Sequence, residues 1–144
     1  MLIEPEIPNN TGNIGRTCVG NYCELHLVGK LGFEINDKQL RRAGLDYWQH
    51  LVWQHHATFE DWWAKVQDPT RVFFFSKKAA HSLYEVQFKR GDWLVFGKET
   101  KGLDEKLLER FQSQTVKIPF EGPIRSFNLA SAVAVGIYEG LRQV

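Results

Sequence analysis

The strongest constraint on this chain is an abrupt change of character within residues 118–139. Up to Phe127 the stretch is a loop with Pro119, Gly122, Pro123 and the polar pair Arg125-Ser126. From Asn128 onward it is a run of small, mostly apolar residues with no breaker before Gly136. Asn128 suits the start of a helix because its side-chain oxygen can accept an unpaired N–H of the first turn. A helix of Ala, Val and Ser has little bulk, so neighbouring backbone can come very close; a helix serving only a core would carry more Leu and Ile. The pattern predicts a loop pressed against this helix start, with a ligand between them.

The rest of the chain reads as alternating strands and helices. Leu2-Ile3 ends a buried strand, 4–8 is a Pro-rich loop, and Asn9-Asn10-Thr11-Gly12-Asn13 offers caps for a helix to about Asn21. Leu25–Val28 is a second strand closed by Gly29. Strand, loop, helix, strand points to a parallel α/β sheet. Thr58-Phe59-Glu60-Asp61 is a capped helix start that would turn Phe59, Trp62 and Trp63 inward. Residues 71–75 and 93–96 are compact apolar strands of the kind buried on both faces. A short amphipathic helix over 103–111, a last strand over 115–118 and a closing helix over 128–141 complete the chain. The expectation is a single α/β domain spanning 1–144, with five or six mostly parallel strands and helices on both faces. Such sheets bind ligands at the carboxyl ends of their strands. The loops before Thr11, after Phe96 and after Ile118 are rich in Gly, Pro or Asn, which points to one site.

Composition limits the alternatives. At 144 residues the chain can bury roughly two-thirds of its unfolded surface. Hydrophobic content of 43% and charge of 24% are ordinary for a globular protein. No apolar run is long enough for a membrane span and the start lacks a targeting pattern, so a cytoplasmic protein is expected. The net charge of +1 does not mark a nucleic-acid binder, so any RNA contact must come from local clusters or from two chains together. Cys18 and Cys23 have no companion pair and read as buried free thiols. The histidines read as surface or satisfied core groups, and no metal site is expected. G-x-G-x-x-G and G-x-S-x-G are absent. Gly97 and Gly102 are spaced like half a P-loop, but Leu103 and Asp104 stand where Lys and Ser/Thr are needed.

Three stretches carry a resemblance. Pro8-Asn9-Asn10-Thr11-Gly12-Asn13-Ile14-Gly15-Arg16-Thr17-Cys18 resembles the first motif of the ribose-methylating branch of the SPOUT methyltransferases. Leu94-Val95-Phe96-Gly97-Lys98-Glu99-Thr100-Lys101-Gly102-Leu103 resembles the second, and Ser126-Phe127-Asn128-Leu129 the third. They occur in the family's order and cover the chain nearly end to end. Leu31-Gly32-Phe33 and the segment 37–47 further resemble the small tRNA wobble-position 2′-O-methyltransferases. Three departures stand out: a short first strand, Phe127 where relatives tend to have Met, and Trp48 where they often have His. A C-terminal tail common in the family is also expected to be missing.

The resemblance implies a SPOUT fold whose C-terminal segment is threaded into a trefoil knot, a feature composition could never suggest. It implies that S-adenosylmethionine, converted to S-adenosylhomocysteine, is held by Phe75, Gly97, Ile118 and Ser126. Gly97 makes sense independently, since a side chain there would collide with a ligand pressed on the loop. The catalytic group it implies is Arg16, supported by Asn10, Ser126, Asn128 and Glu99. An arginine is effectively always protonated, so a base role for Arg16 and an electrostatic one both stay open. Glu99 reads equally as a helix-start carboxylate, and Arg16 taken alone as a surface residue. Lys38, Arg41 and Arg42 would grip RNA phosphates, or else form a solvated face, and Tyr47 or Trp48 would stack a base. The expected partners are tRNA and a second copy of the chain. Methylation of ribosomal RNA or another tRNA position, and a silent RNA-binding module, are the alternatives.

Overall fold

The computed structural model describes residues 1–36, 38–44 and 47–144, with residues 39, 41 and 44 described at the backbone only. The chain divides into two compact units, Met1–Val66 and Gln67–Val144.

The first unit is built on a three-stranded sheet of order β1-β2-β3, with β1 at Leu2–Ile3, β2 at Leu25–Val28 and β3 at Trp53–His56. All pairings are parallel: Leu2 lies opposite Leu27, and Leu25 to Val28 run alongside Trp53 to His56. The expected short first strand is present, and the Glu4 amide lengthens its ladder by donating to the Val28 carbonyl at 2.8 Å. Every residue of the central strand β2 is buried. Helix α1 spans Pro8–Gly20 and α2 spans Lys38–Gly44, the two packing against each other. Helix α1 starts earlier than the Asn-rich signal suggested. Pro8 takes the first helical position, where its missing N–H costs nothing, and Ile7 precedes it. The helix ends where Asn21 donates from its side chain to the Thr17 carbonyl at 2.9 Å. Helix α3 (Phe59–Trp63) has the expected cap, Thr58 accepting the Asp61 amide at 3.1 Å. Of its aromatic face only Trp62 is fully buried; Phe59 and Trp63 are half-buried and stacked on each other at 5.7 Å.

The second unit holds a four-stranded parallel sheet of order β5-β7-β4-β6. Its strands are β4 (Val72–Phe75), β5 (His81–Ser82), β6 (Trp93–Val95) and β7 (Thr115–Lys117). Helix α4 covers Glu105–Arg110 and α5 covers Leu129–Gln143. Arg71, just before β4, donates to both oxygens of the buried Asp92 carboxylate at 2.7 and 2.5 Å and caps the ring of Phe73 at 5.0 Å. A bidentate pair of this kind is both strong and directional. At the far end of α5 the Gln143 amide donates to Val86 and accepts from Phe88, fixing the helix to the chain before β6. Among the described residues no helix is long and apolar enough to cross a membrane. The SPOUT-type architecture expected from sequence is met by parallel sheets flanked by helices, with seven strands in two sheets among the described residues rather than five or six in one.

Strand β3 reads Trp-Gln-His-His and carries no strand signal of its own. It is secured to β2 by side chains as well as backbone. His26 and His56 are both 5% exposed, nearly coplanar, and joined from His26 Nδ1 to His56 Nε2 at 2.9 Å. His26 Nε2 lies 3.2 Å from the Glu24 carboxylate, which fixes its proton there. His26 Nδ1 must then accept and His56 Nε2 donate. Protonating His26 at Nδ1 would set two N–H groups head-on, so a further proton could add without breaking the bond only at His56 Nδ1. Burial lowers the pKa of both rings below the ordinary 6.5, with the Glu24 carboxylate partly offsetting this at His26. A lowered histidine pKa means the unfolded chain binds protons first as pH falls, so stability from this pair is complete above about 6.5 and is lost progressively below it. The thermal midpoint is expected to fall between pH 7.5 and 5.5, and the slope to flatten in His26→Gln. An unchanged slope in that variant would assign the dependence to other groups.

Candidate active site

In the second unit the carboxyl ends of β4, β6 and β7 open onto one cleft of about 550 Å³, lined by Phe75, Gly97, Glu99, Ile118 and Ser126 among others. This size falls within the roughly 300–1,000 Å³ of small-molecule sites. Its apolar wall continues through Phe96, Leu103, Leu129 and Ala132, and its rim carries Lys77, Lys78, Asp104 and Glu105. Phe75 and Phe96 are buried and stacked at 4.4 Å. Their ring tips meet α5 at Gly136, where a Cβ would lie 3.2 Å from Phe96 and 3.3 Å from Phe75. The small residues of this helix thus admit two aromatic rings rather than backbone. The loop 119–128 reaches the cleft through Ser126 and Phe127, with Phe127 set edge-on to Phe120 at 5.1 Å. The Lys77 ammonium reaches the Arg125 carbonyl of this loop at 3.4 Å. Helix α5 begins as expected: Asn128 accepts the Ser131 amide at 3.2 Å. Asn128 therefore shapes the loop–helix junction and is not part of the cleft lining.

The structure adds a second reason for one reading of the second motif and corrects another. Gly97 lines the cleft, but its lack of a side chain is demanded by its own loop. A Cβ there would lie 2.1 Å from the Gly102 carbonyl carbon and 2.3 Å from the Leu103 nitrogen. The loop doubles back on itself, Gly102 donating to the Lys98 carbonyl at 2.9 Å. Glu99 is not a helix-start carboxylate. Asp104 holds that place, accepting the Lys106 amide ahead of α4, while Glu99 stands half-buried in the cleft wall. On the rim, the Lys78 ammonium lies 2.9 Å from Glu105 and holds that carboxyl below its usual range.

The remaining candidates belong to the first unit. Asn10 is buried on α1 beside Thr11, whose fully buried hydroxyl has no hydrogen-bond partner among the described residues. Arg16 is exposed on α1 and lies over the Tyr47 ring, its Cζ 4.7 Å from the centroid and its Nη2 3.4 Å from the phenol oxygen. Lys38 and Arg42 are exposed on α2, while the side chain of Arg41 lies outside the described residues. Cys18 is buried and free, its thiol pushed up to about 12 by burial, and Cys23 is free and half-buried. Among the described residues no group of three or more His, Cys, Asp or Glu is placed to hold a metal ion. Sequence reasoning missed Phe96, Gly136 and Lys77. Phe96 had a signal in its place within the second motif, and Gly136 as the first break in the small-residue helix; Lys77 had none.

Three comparisons bear on this arrangement. The model of the SpoU rRNA methylase family matches residues 1–138. A tRNA (cytidine(34)-2′-O)-methyltransferase of Saccharophagus degradans is 47% identical over 147 residues, covering 100% of this chain and 94% of that protein. A solved structure concerning the 2-OH methylation of C/U34 on tRNA superposes with a TM-score of 0.93 at 47% identity, covering 99% of this chain and 92% of that one. More distantly, the SpoU methyltransferase AviRb of Streptomyces viridochromogenes, solved with AdoMet, shares the fold at a TM-score of 0.86 and 21% identity. There the match covers 99% of this chain and 56% of that one.

The loop that forms the cleft wall sets a test. Gly97→Ala forces the backbone at Gly102 to move and is expected to cost about 1–3 kcal/mol or more. That would lower the thermal midpoint by roughly 5 °C or more. A midpoint equal to that of the unaltered chain would show that the loop has room.

Proposed function

We propose, since this chain belongs to the SpoU rRNA methylase family, that it is an S-adenosylmethionine-dependent methyltransferase for the ribose 2′-hydroxyl of the tRNA wobble nucleotide, a cytidine or modified uridine. The observation that carries this reading is the 47% identity, along its whole length, to a tRNA (cytidine(34)-2′-O)-methyltransferase.

The cleft of the second unit has the right donor set for the cofactor. Phe75, Ile118 and Leu129 offer an apolar wall to a flat base, and Ser126 with the 97–103 backbone offers polar contacts. Lys77 and Lys78 on the rim suit a carboxylate, while Glu99 and Asp104 suit an ammonium or sulfonium charge. Bound there, S-adenosylmethionine supplies an electrophilic methyl group on its sulfonium. The protein's task is then to align the ribose oxygen and stabilise the charge that develops on it. Arg16 suits the second task. Its guanidinium stays protonated, so it acts by holding the neighbouring phosphate and countering negative charge on the oxygen, not as a base. Asn10 supports the helix that carries it. Asn128 contributes by fixing the helix start that presents Ser126.

Lys38, Arg41 and Arg42 supply phosphate contacts along α2. The two units act as one domain, with the C-terminal segment threaded in a trefoil knot. Val135, Tyr138 and Leu141 are exposed at three-residue spacing along α5, an apolar stripe suited to a second copy of the chain. A cytoplasmic homodimer sharing its tRNA surface is the assembly this favours. The description of the matching family names rRNA, which keeps a ribosomal substrate as the second reading.

Incubation with labelled cofactor and total tRNA, followed by nucleoside mass spectrometry, should place the label in a 2′-O-methylated pyrimidine at the wobble position. Label in a base, or only in ribosomal RNA, would overturn the assignment. Arg16→Ala is expected to slow transfer by about 100-fold or more while cofactor affinity holds. Loss of cofactor binding instead would contradict the role given to Arg16.

A further inference from the structure

Arg16 stands on an exposed stretch of α1, where a long side chain would ordinarily sample many rotamers. It does not do so against a carboxylate: among the described residues no acidic side chain is paired with it. Among the described residues its side chain meets Tyr47, with both the ring face, 4.7 Å away, and the hydroxyl, 3.4 Å away.

Tyr47 is itself held in place by the first unit. It leads into the 3-10 turn Trp48–His50, which is closed by the His50 amide donating to the Tyr47 carbonyl at 2.9 Å. Trp48 is seated on α1 at Gly15, one residue before Arg16. A Cβ at Gly15 would lie 3.0 Å from Trp48 Cζ3 and 3.2 Å from Leu51 Cδ2, so the turn sits this close only because Gly15 is bare. The opposite side of Trp48 meets the Trp53 ring of β3 at 5.7 Å. Helix, turn and strand thus fix where the Tyr47 ring stands, and the ring fixes where the guanidinium rests.

We infer that Tyr47 is a positioning residue for Arg16, and not a stacking platform for an RNA base. This rests on the role given to Arg16 above. A carboxylate in that place would neutralise the guanidinium that a phosphate and a developing oxyanion need. An aromatic face orients the cation without taking its charge. One face of the ring is taken up by Arg16 and is not open to a base.

The effect should appear in turnover. With the full chain and tRNA, Tyr47→Ala and Tyr47→Leu are expected to lower kcat about tenfold with KM for tRNA within about twofold. Tyr47→Phe keeps the ring and should stay within about threefold of the unaltered kcat. A raised KM at unchanged kcat would make Tyr47 an RNA contact and overturn the inference, as would Phe failing as badly as Ala. If Tyr47→Ala does not fold, the Leu and Phe variants carry the comparison. A second readout needs no activity. The Arg16 Nε–H NMR signal, assigned by its loss in Arg16→Lys, should be shifted by the ring current in the unaltered chain and in Tyr47→Phe, and relax in Tyr47→Leu. No change in Tyr47→Leu would sink the contact itself. Absence of methyl transfer by the unaltered chain, with the NMR shift intact, would instead sink the proposed function.

Discussion

Parallel pairing of β4 with both β6 and β7 is the constraint on which the cleft depends. With Phe74 opposite both Val95 and Thr115, all three strands end at the same edge. Each must leave that edge by a crossover, so three loops start from one side of the sheet. Hydrogen-bonding groups left at those ends, together with the rings just beyond them, make a site without any dedicated motif. The stack of Phe75 on Phe96 closes its base, and Gly136 lets α5 lie against the stack.

Polar groups inside both units are tolerated because nearly all are paired directionally. Asp92 is buried against a two-pronged Arg71, and His26 and His56 share one hydrogen bond inside the first sheet. Arg16 follows a different rule. It is held by a ring rather than an anion, which orients a cation while leaving it available to a ligand of opposite charge.

Much of this was legible one segment at a time. The apolar run at 72–75 forms a strand because consecutive β-branched and aromatic residues suit a largely buried strand, and the shorter run at 93–95 pairs alongside it, half-buried at Trp93 and Leu94. Thr58 and Asn128 cap helices because a short polar side chain there meets its own backbone. The second and third motif stretches hold many of the cleft residues for the same reason: each is contiguous. The strand Trp53–His56 was not legible. Its residues favour no sheet, and it exists because β2 offers an unpaired edge and His26 offers a ring nitrogen.

What the sequence alone determined, then, is whatever depends on neighbours a few residues away: element types, caps, turns and the order of the ligand-binding loops. Only the tertiary structure decided which atoms fill the space around them. Gly97 stands out in the sequence, and the fold shows that its own loop already excludes a side chain there. Tyr47 lies against Arg16, 31 residues away in sequence, where the bare Gly15 lets Trp48 settle on α1. Contacts of that separation are set by packing, which depends on the shapes of several elements at once and leaves no local pattern to read.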